Sequence, residues 1–132
     1  MSYFRNGNCK LHYEEYGQGT PLLLLHGLGS STRDWENQKE ALAAQYKLIL
    51  LDLRGHGRSE RPKGSYSMVG FAEDVLALLD HLQLEKVHLV GISMGGMVAF
   101  QIAVEHSQRL LSLTIVNSSP EVKIHNLSSA IQ

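Results

Sequence analysis

Residues 87–96 read Val-His-Leu-Val-Gly-Ile-Ser-Met-Gly-Gly. An apolar run at 87–90 stops at a glycine, the pattern Gly-x-Ser-x-Gly occupies 91–95, and an almost wholly apolar helical pattern follows to about residue 106. This order predicts a buried strand, a tight turn with Ser93 at its tip, and a buried helix. Positions 91 and 95 are expected to need glycine, because side chains two residues before and after the serine would collide in such a turn.

The predicted turn lifts the Ser93 hydroxyl out of the sheet, and the N-terminus of the next helix favours negative charge at the same place. This geometry is typical of a nucleophilic serine. Two other interpretations are open: a glycine-rich turn that only packs helix against strand, or a dinucleotide site at residues 27–29 with Asp52 as its acid. The dinucleotide pattern lacks its third glycine.

Further apolar runs at 21–25, 47–51 and 113–116 predict buried parallel strands. Helices are expected between them, one capped by Thr32 and including Trp35 to Tyr46, and one beginning at Ser67. Asn6-Gly7 predicts an antiparallel hairpin of residues 2–6 and 9–16. Together these patterns predict one domain over residues 1–132, an α/β fold with a mostly parallel sheet, helices on both faces and an N-terminal antiparallel hairpin.

Composition excludes several classes of protein. The 132 residues carry 12 basic and 13 acidic side chains, a net charge of −1, which argues against a nucleic-acid partner. No apolar run has the length of a membrane span. Cys9 is the only cysteine, so neither an internal disulfide nor a cysteine-based zinc site can form. A cytoplasmic location is expected.

Three motifs resemble the α/β-hydrolase superfamily in order and spacing. They are His26-Gly27-Leu28-Gly29 after the first apolar run, residues 52–59 (Asp-Leu-Arg-Gly-His-Gly-Arg-Ser) after the second, and the Ser93 turn after the third. The resemblance covers about residues 10–120 and is greatest to the esterase, enol-lactonase and carbon–carbon-bond hydrolase branches. Haloalkane dehalogenases and epoxide hydrolases differ, since they carry aspartate at the position of Ser93.

The resemblance implies the roles of the site residues. Ser93 would be the nucleophile, and the backbone N–H groups of Leu28 and Met94 would form the oxyanion hole, with His26 and Gly27 beside them at the substrate. His26 is read as a residue that orders this loop, although its chemistry would also suit a base. Asp52 and Arg54 are expected to tie their own loop together. No cofactor or metal is implied, and the expected partner is a small-molecule substrate.

The histidine base and its orienting acid are not evident after Ser93. Glu105 and His106 fall in the predicted helix, and neither Glu121 nor His125 is expected to belong to the triad. We therefore expect the N-terminal part of a longer serine hydrolase that acts on a small ester, lactone or related carbonyl compound, and expect this part alone to be inactive. The alternatives are a non-catalytic interaction module and cofactor-independent chemistry, such as oxygenation or cyanohydrin cleavage.

Residues 110–117 are expected at an open edge of the sheet. An apolar edge strand is a template for pairing with another chain. A symmetric homodimer through this edge is therefore predicted. The histidines outside the motifs, His12, His81, His88 and His106, are expected to be structural or solvated.

Overall fold

The computed structural model describes residues 2–118, which contain six strands and three α-helices. In chain order these are β1 (Ser2–Asn6), β2 (Cys9–Tyr16), β3 (Pro21–Leu25), α1 (Lys39–Ala43), β4 (Lys47–Leu51), α2 (Met68–His81), β5 (Val87–Ile92), α3 (Met94–Glu105) and β6 (Leu110–Val116). Short 3₁₀ helices lie at Thr32–Trp35 and Ser107–Arg109. None of the helices described there is long and apolar enough to cross a membrane.

The strands form one sheet in the order β1-β2-β4-β3-β5-β6. β1 pairs with β2 and β2 with β4 in antiparallel fashion, whereas β3, β4, β5 and β6 are parallel neighbours. The predicted hairpin and mostly parallel sheet are confirmed. The carboxyl ends of the parallel strands therefore meet along one edge, where α/β sheets bind ligands.

Alternate residues of β3 and β4 face opposite sides of the sheet, which confirms helices on both faces. Leu23, Leu25, Ile49 and Leu51 pack with residues of α2 and α3 in the larger core cluster. Leu22, Leu24, Leu48 and Leu50 pack on the other face with Trp35 and with residues of α1. Because both faces are covered, residues 22–25 and 48–51 are all leucine or isoleucine.

The segment between β3 and β4 differs from the prediction. Instead of one helix capped by Thr32, a 3₁₀ turn is capped by Ser31, whose hydroxyl accepts from the Arg33 N–H at 3.2 Å, and the shorter α1 begins only at Lys39. The physical reason is that the Thr32 N–H donates to the Asp52 carboxylate at 2.8 Å, which ties the first turn to the end of β4.

The two longer helices agree with the patterns that predicted them, with one exception. Ser67 caps α2, since its hydroxyl accepts from the Gly70 N–H at 3.0 Å. The first part of α3 is buried from Met94 to Ala99, as expected. The last turn is not, because Val104 is 79% exposed, so the expectation of burial along the whole helix is wrong there.

The hairpin and the loop after β4 are both anchored to α2 through one buried carboxylate. Asp74 accepts a bidentate pair of hydrogen bonds from Arg54, at 2.6 and 2.8 Å, and a third from the Asn6 amide at 2.8 Å. Bidentate guanidinium–carboxylate pairs are among the stronger hydrogen-bonded contacts in proteins. Arg54 therefore fixes its loop to a helix rather than to Asp52.

Within the described residues, β6 is an outer strand of the sheet, and the homodimer through it stays a prediction. Leu111 is 48% exposed and the strand carries no charged side chain. Antiparallel pairing of two copies about Leu113 sets Leu111 opposite Ile115 and Ser112 opposite Thr114. Such a register is self-complementary, as a two-fold axis requires.

We therefore expect the 132-residue chain to sediment as a dimer. Leu111→Lys should shift it to a monomer, because the substitution places two ammonium groups in the paired edge. Val69→Lys is the matched control: Val69 is 47% exposed but lies on α2, away from the edge. A wild-type chain that remains monomeric at high concentration would contradict the prediction.

Candidate active site

Ser93 lies between β5 and α3 with φ 54° and ψ −119°, so the predicted strained turn is confirmed. This conformation is uncommon for a residue other than glycine and costs on the order of 1–3 kcal/mol. Backbone bonds hold it in place. The Ser93 N–H donates to the Val116 carbonyl at 3.0 Å, and the Ser93 carbonyl accepts from the Gly96 and Met97 N–H groups at 3.0 and 3.2 Å. The serine itself is exposed.

Both glycines of the motif are required by close backbone approach, as predicted. A Cβ at Gly91 would lie 2.3 Å from the Gly95 carbonyl oxygen. A Cβ at Gly95 would lie 2.4 Å from the Leu25 carbonyl oxygen and 2.6 Å from that of His26. The turn is therefore seated directly on the end of β3, which brings the next loop to the serine.

That loop contains a β-turn, residues 27–30, which lies beside Ser93. The Ser30 N–H donates to the Gly27 carbonyl at 3.2 Å, and Gly29 has φ +73°, the value that the third position of a type II turn requires. A Cβ built at Gly27 would be 3.3 Å from the Ser93 Cβ and 3.8 Å from its Oγ. The structure thus brings the two sequence motifs together.

His26 is fully buried, and both of its ring nitrogens are occupied. The Leu53 N–H donates to Nε2 at 3.0 Å, so Nδ1 carries the proton and donates to the Gly27 carbonyl at 2.7 Å. Burial lowers the pKa of His26 below its ordinary value. A ring held neutral with no free lone pair orders the loop and does not act as a base, which favours the first of the two interpretations of His26.

Asp52 ties its loop together, and its partner His12 is the residue that sequence reasoning missed. The Asp52 carboxylate accepts from His12 Nδ1 at 2.7 Å, from the Thr32 N–H at 2.8 Å and from the Arg58 N–H at 3.1 Å. His12 is 1% exposed. The only signal for it was a histidine between Leu11 and Tyr13, in a strand that is buried on both faces at this point.

The structure brings no acid–base pair to the serine within residues 2–118. The hydrogen bonds of five histidines go to groups other than the Ser93 hydroxyl: His12, His26, His56, His81 and His88. Glu105 and His106 lie at the end of α3, as the pattern predicted. Glu121 and His125 lie outside the described residues. In the same range no cluster of three or more histidine, cysteine or carboxylate side chains is arranged to hold a metal ion.

A strand, a strained serine turn and a helix, seated on a mostly parallel sheet, are the arrangement of the α/β-hydrolase fold. The family model of the alpha/beta hydrolase fold matches residues 20–131, and the chain belongs to that family.

Relatives of the chain are named for different activities. A pimeloyl-[acyl-carrier protein] methyl ester esterase of Aeromonas hydrophila is 44% identical over 81% of this chain and 41% of its own length. A soluble epoxide hydrolase of Corynebacterium is 40% identical over 84% of this chain and 39% of its own. The crystal structure of the enol-lactonase of Burkholderia xenovorans superposes with a TM-score of 0.89 at 30% identity, over 92% of this chain and 48% of that one. The chain spans less than half the length of each.

The seating of the turn can be tested at Gly95. We expect Gly95→Ala to lower the free energy of unfolding by about 3 kcal/mol, because the new methyl group meets fixed backbone carbonyls. Gly70→Ala is the control: it is also in the first turn of a helix, but its Cβ would meet only the Ser67 hydroxyl at 3.2 Å. Urea unfolding of both variants gives the comparison. Equal effects would show that the close approach at Gly95 is unimportant.

The buried histidines predict how stability depends on pH. Burial lowers the pKa of both His26 and His56, so below pH 6.5 the unfolded chain binds more protons than the native one. Stability is therefore full above that pH and declines as the pH falls, by up to about 1.4 kcal/mol per pH unit for each ring.

His26→Gln should reduce that slope in urea unfolding between pH 7 and 5. Val104→Gln, an exposed substitution on the last turn of α3 that changes no titratable group, should leave it unchanged. A slope that is identical in wild type and His26→Gln would contradict the assignment.

Proposed function

We propose that Ser93 is the nucleophile of a serine hydrolase that acts on a small ester, lactone or related carbonyl compound. The observation that carries the proposal is the exposed serine at φ 54°, with the backbone of Gly27 packed against it. A strained conformation of this kind persists only where the surrounding structure enforces it, and such residues cluster at functional sites.

In the proposed reaction the Ser93 Oγ attacks the carbonyl carbon of the substrate, and its proton passes to a histidine base. The carbonyl π electrons move onto oxygen, where the N–H groups of Leu28 and Met94 stabilise the charge. Met94 is the first residue of α3, so the helix itself leaves its N–H unbonded. As the intermediate collapses, the histidine gives its proton to the leaving alcohol oxygen and an acyl-serine remains. Water, deprotonated by the same histidine, then attacks the acyl carbon, which releases the carboxylic acid and restores Ser93.

The base and its orienting acid are proposed to come from outside residues 2–118. His26 is excluded from the role of base by its two hydrogen bonds. General base catalysis contributes typically about 10²–10⁴-fold. The described residues would thus supply the nucleophile and the oxyanion hole, two parts of the machinery that depend mainly on backbone geometry.

Two of the relatives described above support acyl chemistry. The esterase and the enol-lactonase are named for substrates with an acyl carbon. The epoxide hydrolase is named for an epoxide, which has none. A serine hydroxyl at position 93 favours the first class, because attack on a carbonyl creates the oxyanion that two backbone donors can stabilise.

A chimaera tests the proposal. The segment of the Aeromonas hydrophila esterase that matches this chain is replaced by the corresponding residues of the chain, so that the remaining part of the host completes the fold. We expect the chimaera to hydrolyse a short-chain nitrophenyl ester at least about 10²-fold faster than the 132-residue chain alone, because the host supplies the base. Ser93→Ala should lower kcat by roughly 10⁴-fold or more.

Two results would contradict the proposal. A soluble, folded chimaera whose activity survives Ser93→Ala would show that another group is the nucleophile. A folded chimaera with no Ser93-dependent turnover, and no labelling of Ser93 by a fluorophosphonate, would favour the non-catalytic interaction module. The cofactor-independent alternatives, in which the serine is not acylated, also predict no labelling of Ser93, and turnover of a substrate without labelling would distinguish them from the interaction module.

A further inference from the structure

Asp34 links the 3₁₀ helix Thr32–Trp35 back to the loop that touches the serine. One carboxylate oxygen, Oδ2, accepts from the Gly27 N–H at 3.2 Å, and the other, Oδ1, accepts from the Ser30 hydroxyl. The two donors lie at either end of the β-turn at residues 27–30. A single side chain therefore clamps both ends of the turn.

The Gly27 peptide groups are fully occupied as a result. The Gly27 N–H is bound by Asp34, and the Gly27 carbonyl accepts from both the Ser30 N–H and His26 Nδ1. The bond that closes a β-turn joins its first and fourth residues, so it leaves the N–H of the second residue, Leu28, outside it. Asp34 therefore occupies the Gly27 N–H, and the Leu28 N–H is left for a substrate.

We propose that Asp34 is a positioning residue of the oxyanion hole, which by holding the Gly27 N–H makes Leu28 the donor that the loop presents to the reacting carbonyl oxygen. The inference rests on the function proposed for Ser93. Asp34 itself touches neither substrate nor nucleophile. It acts through Gly27. A Cβ built on that glycine would lie 3.8 Å from the Ser93 Oγ.

The position of Asp34 is itself fixed by the sheet. The Asp34 N–H donates to the Ser31 carbonyl at 3.1 Å, and the Thr32 N–H donates to Asp52 at the end of β4. A charge-assisted hydrogen bond is about twice as strong as a neutral one. Because Asp34 is exposed, water screens its negative charge, and the carboxylate can hold the turn without strongly opposing the oxyanion.

Amide hydrogen exchange in the 132-residue chain tests the contact without any need for activity. We expect Asp34→Ala to speed exchange at the Gly27 N–H by about tenfold or more, since the loss is that of a hydrogen bond to a charged group. Asp34→Asn should be intermediate, because its amide oxygen still accepts from Gly27 while its NH₂ group donates to Ser30. Glu36→Ala, an exposed acid just beyond the same 3₁₀ helix, is the control and should leave Gly27 unchanged.

Kinetics in the esterase chimaera test the role in catalysis. Asp34→Ala should lower kcat by about tenfold with little change in KM, and Asp34→Asn should restore part of the loss. If Ser93→Ala abolishes turnover while Asp34→Ala leaves kcat unchanged, or raises KM alone, the inference on Asp34 is wrong and the proposed function stands. Unchanged Gly27 exchange in Asp34→Ala would also overturn it. If Ser93→Ala has no effect, the proposed function itself fails, whatever Asp34 does.

Discussion

The close approach of α3 to the end of β3 is the constraint on which the rest of the site depends. At Gly95 there is no room for even a methyl group, because the carbonyl oxygens of Leu25 and His26 lie 2.4 and 2.6 Å from the position that a Cβ would occupy. This contact fixes the height of the Ser93 turn above the sheet. It also places the loop that follows β3 next to the serine, since His26 belongs to both the contact and the loop.

Two carboxylates then fix the geometry of the loop that follows β3. Asp52 holds the 3₁₀ helix through the Thr32 N–H, and Asp34, within that helix, holds the Gly27 N–H. The end of β4 thus fixes the 3₁₀ helix, and the 3₁₀ helix fixes the turn beside Ser93. In each step a carboxylate accepts from a backbone N–H, at 2.8 Å for Thr32 and 3.2 Å for Gly27, and the charge of the acceptor strengthens such bonds.

The features set by local steric rules were predictable from the sequence. The Ser93 turn, its two glycines, the Asn6-Gly7 hairpin and the buried leucine strands each follow from backbone conformation or from hydrophobic periodicity over a few residues. The contacts between distant side chains were not predictable. His12 and Asp52 are 40 residues apart, and Arg54 and Asp74 are 20 apart, so nothing in the local pattern selects one partner over another. The helix expected after Thr32 was wrong for the same reason, because a distant carboxylate takes the Thr32 N–H.

The division between local and distant control has a consequence for how the site tolerates substitution. The two proposed oxyanion donors are backbone N–H groups, so exchanging the side chain of Leu28 or Met94 leaves both donors in place. Their alignment, however, depends on side chains elsewhere: His26 on the Gly27 carbonyl, Asp34 on the Gly27 N–H and Asp52 on the segment that carries Asp34. Substitutions are therefore expected to have large effects on activity at residues that do not contact the substrate. They are expected to have small effects at the two residues whose N–H groups donate to it. Such a pattern separates a backbone oxyanion hole from one built of side chains, in which the donors themselves are the sensitive positions.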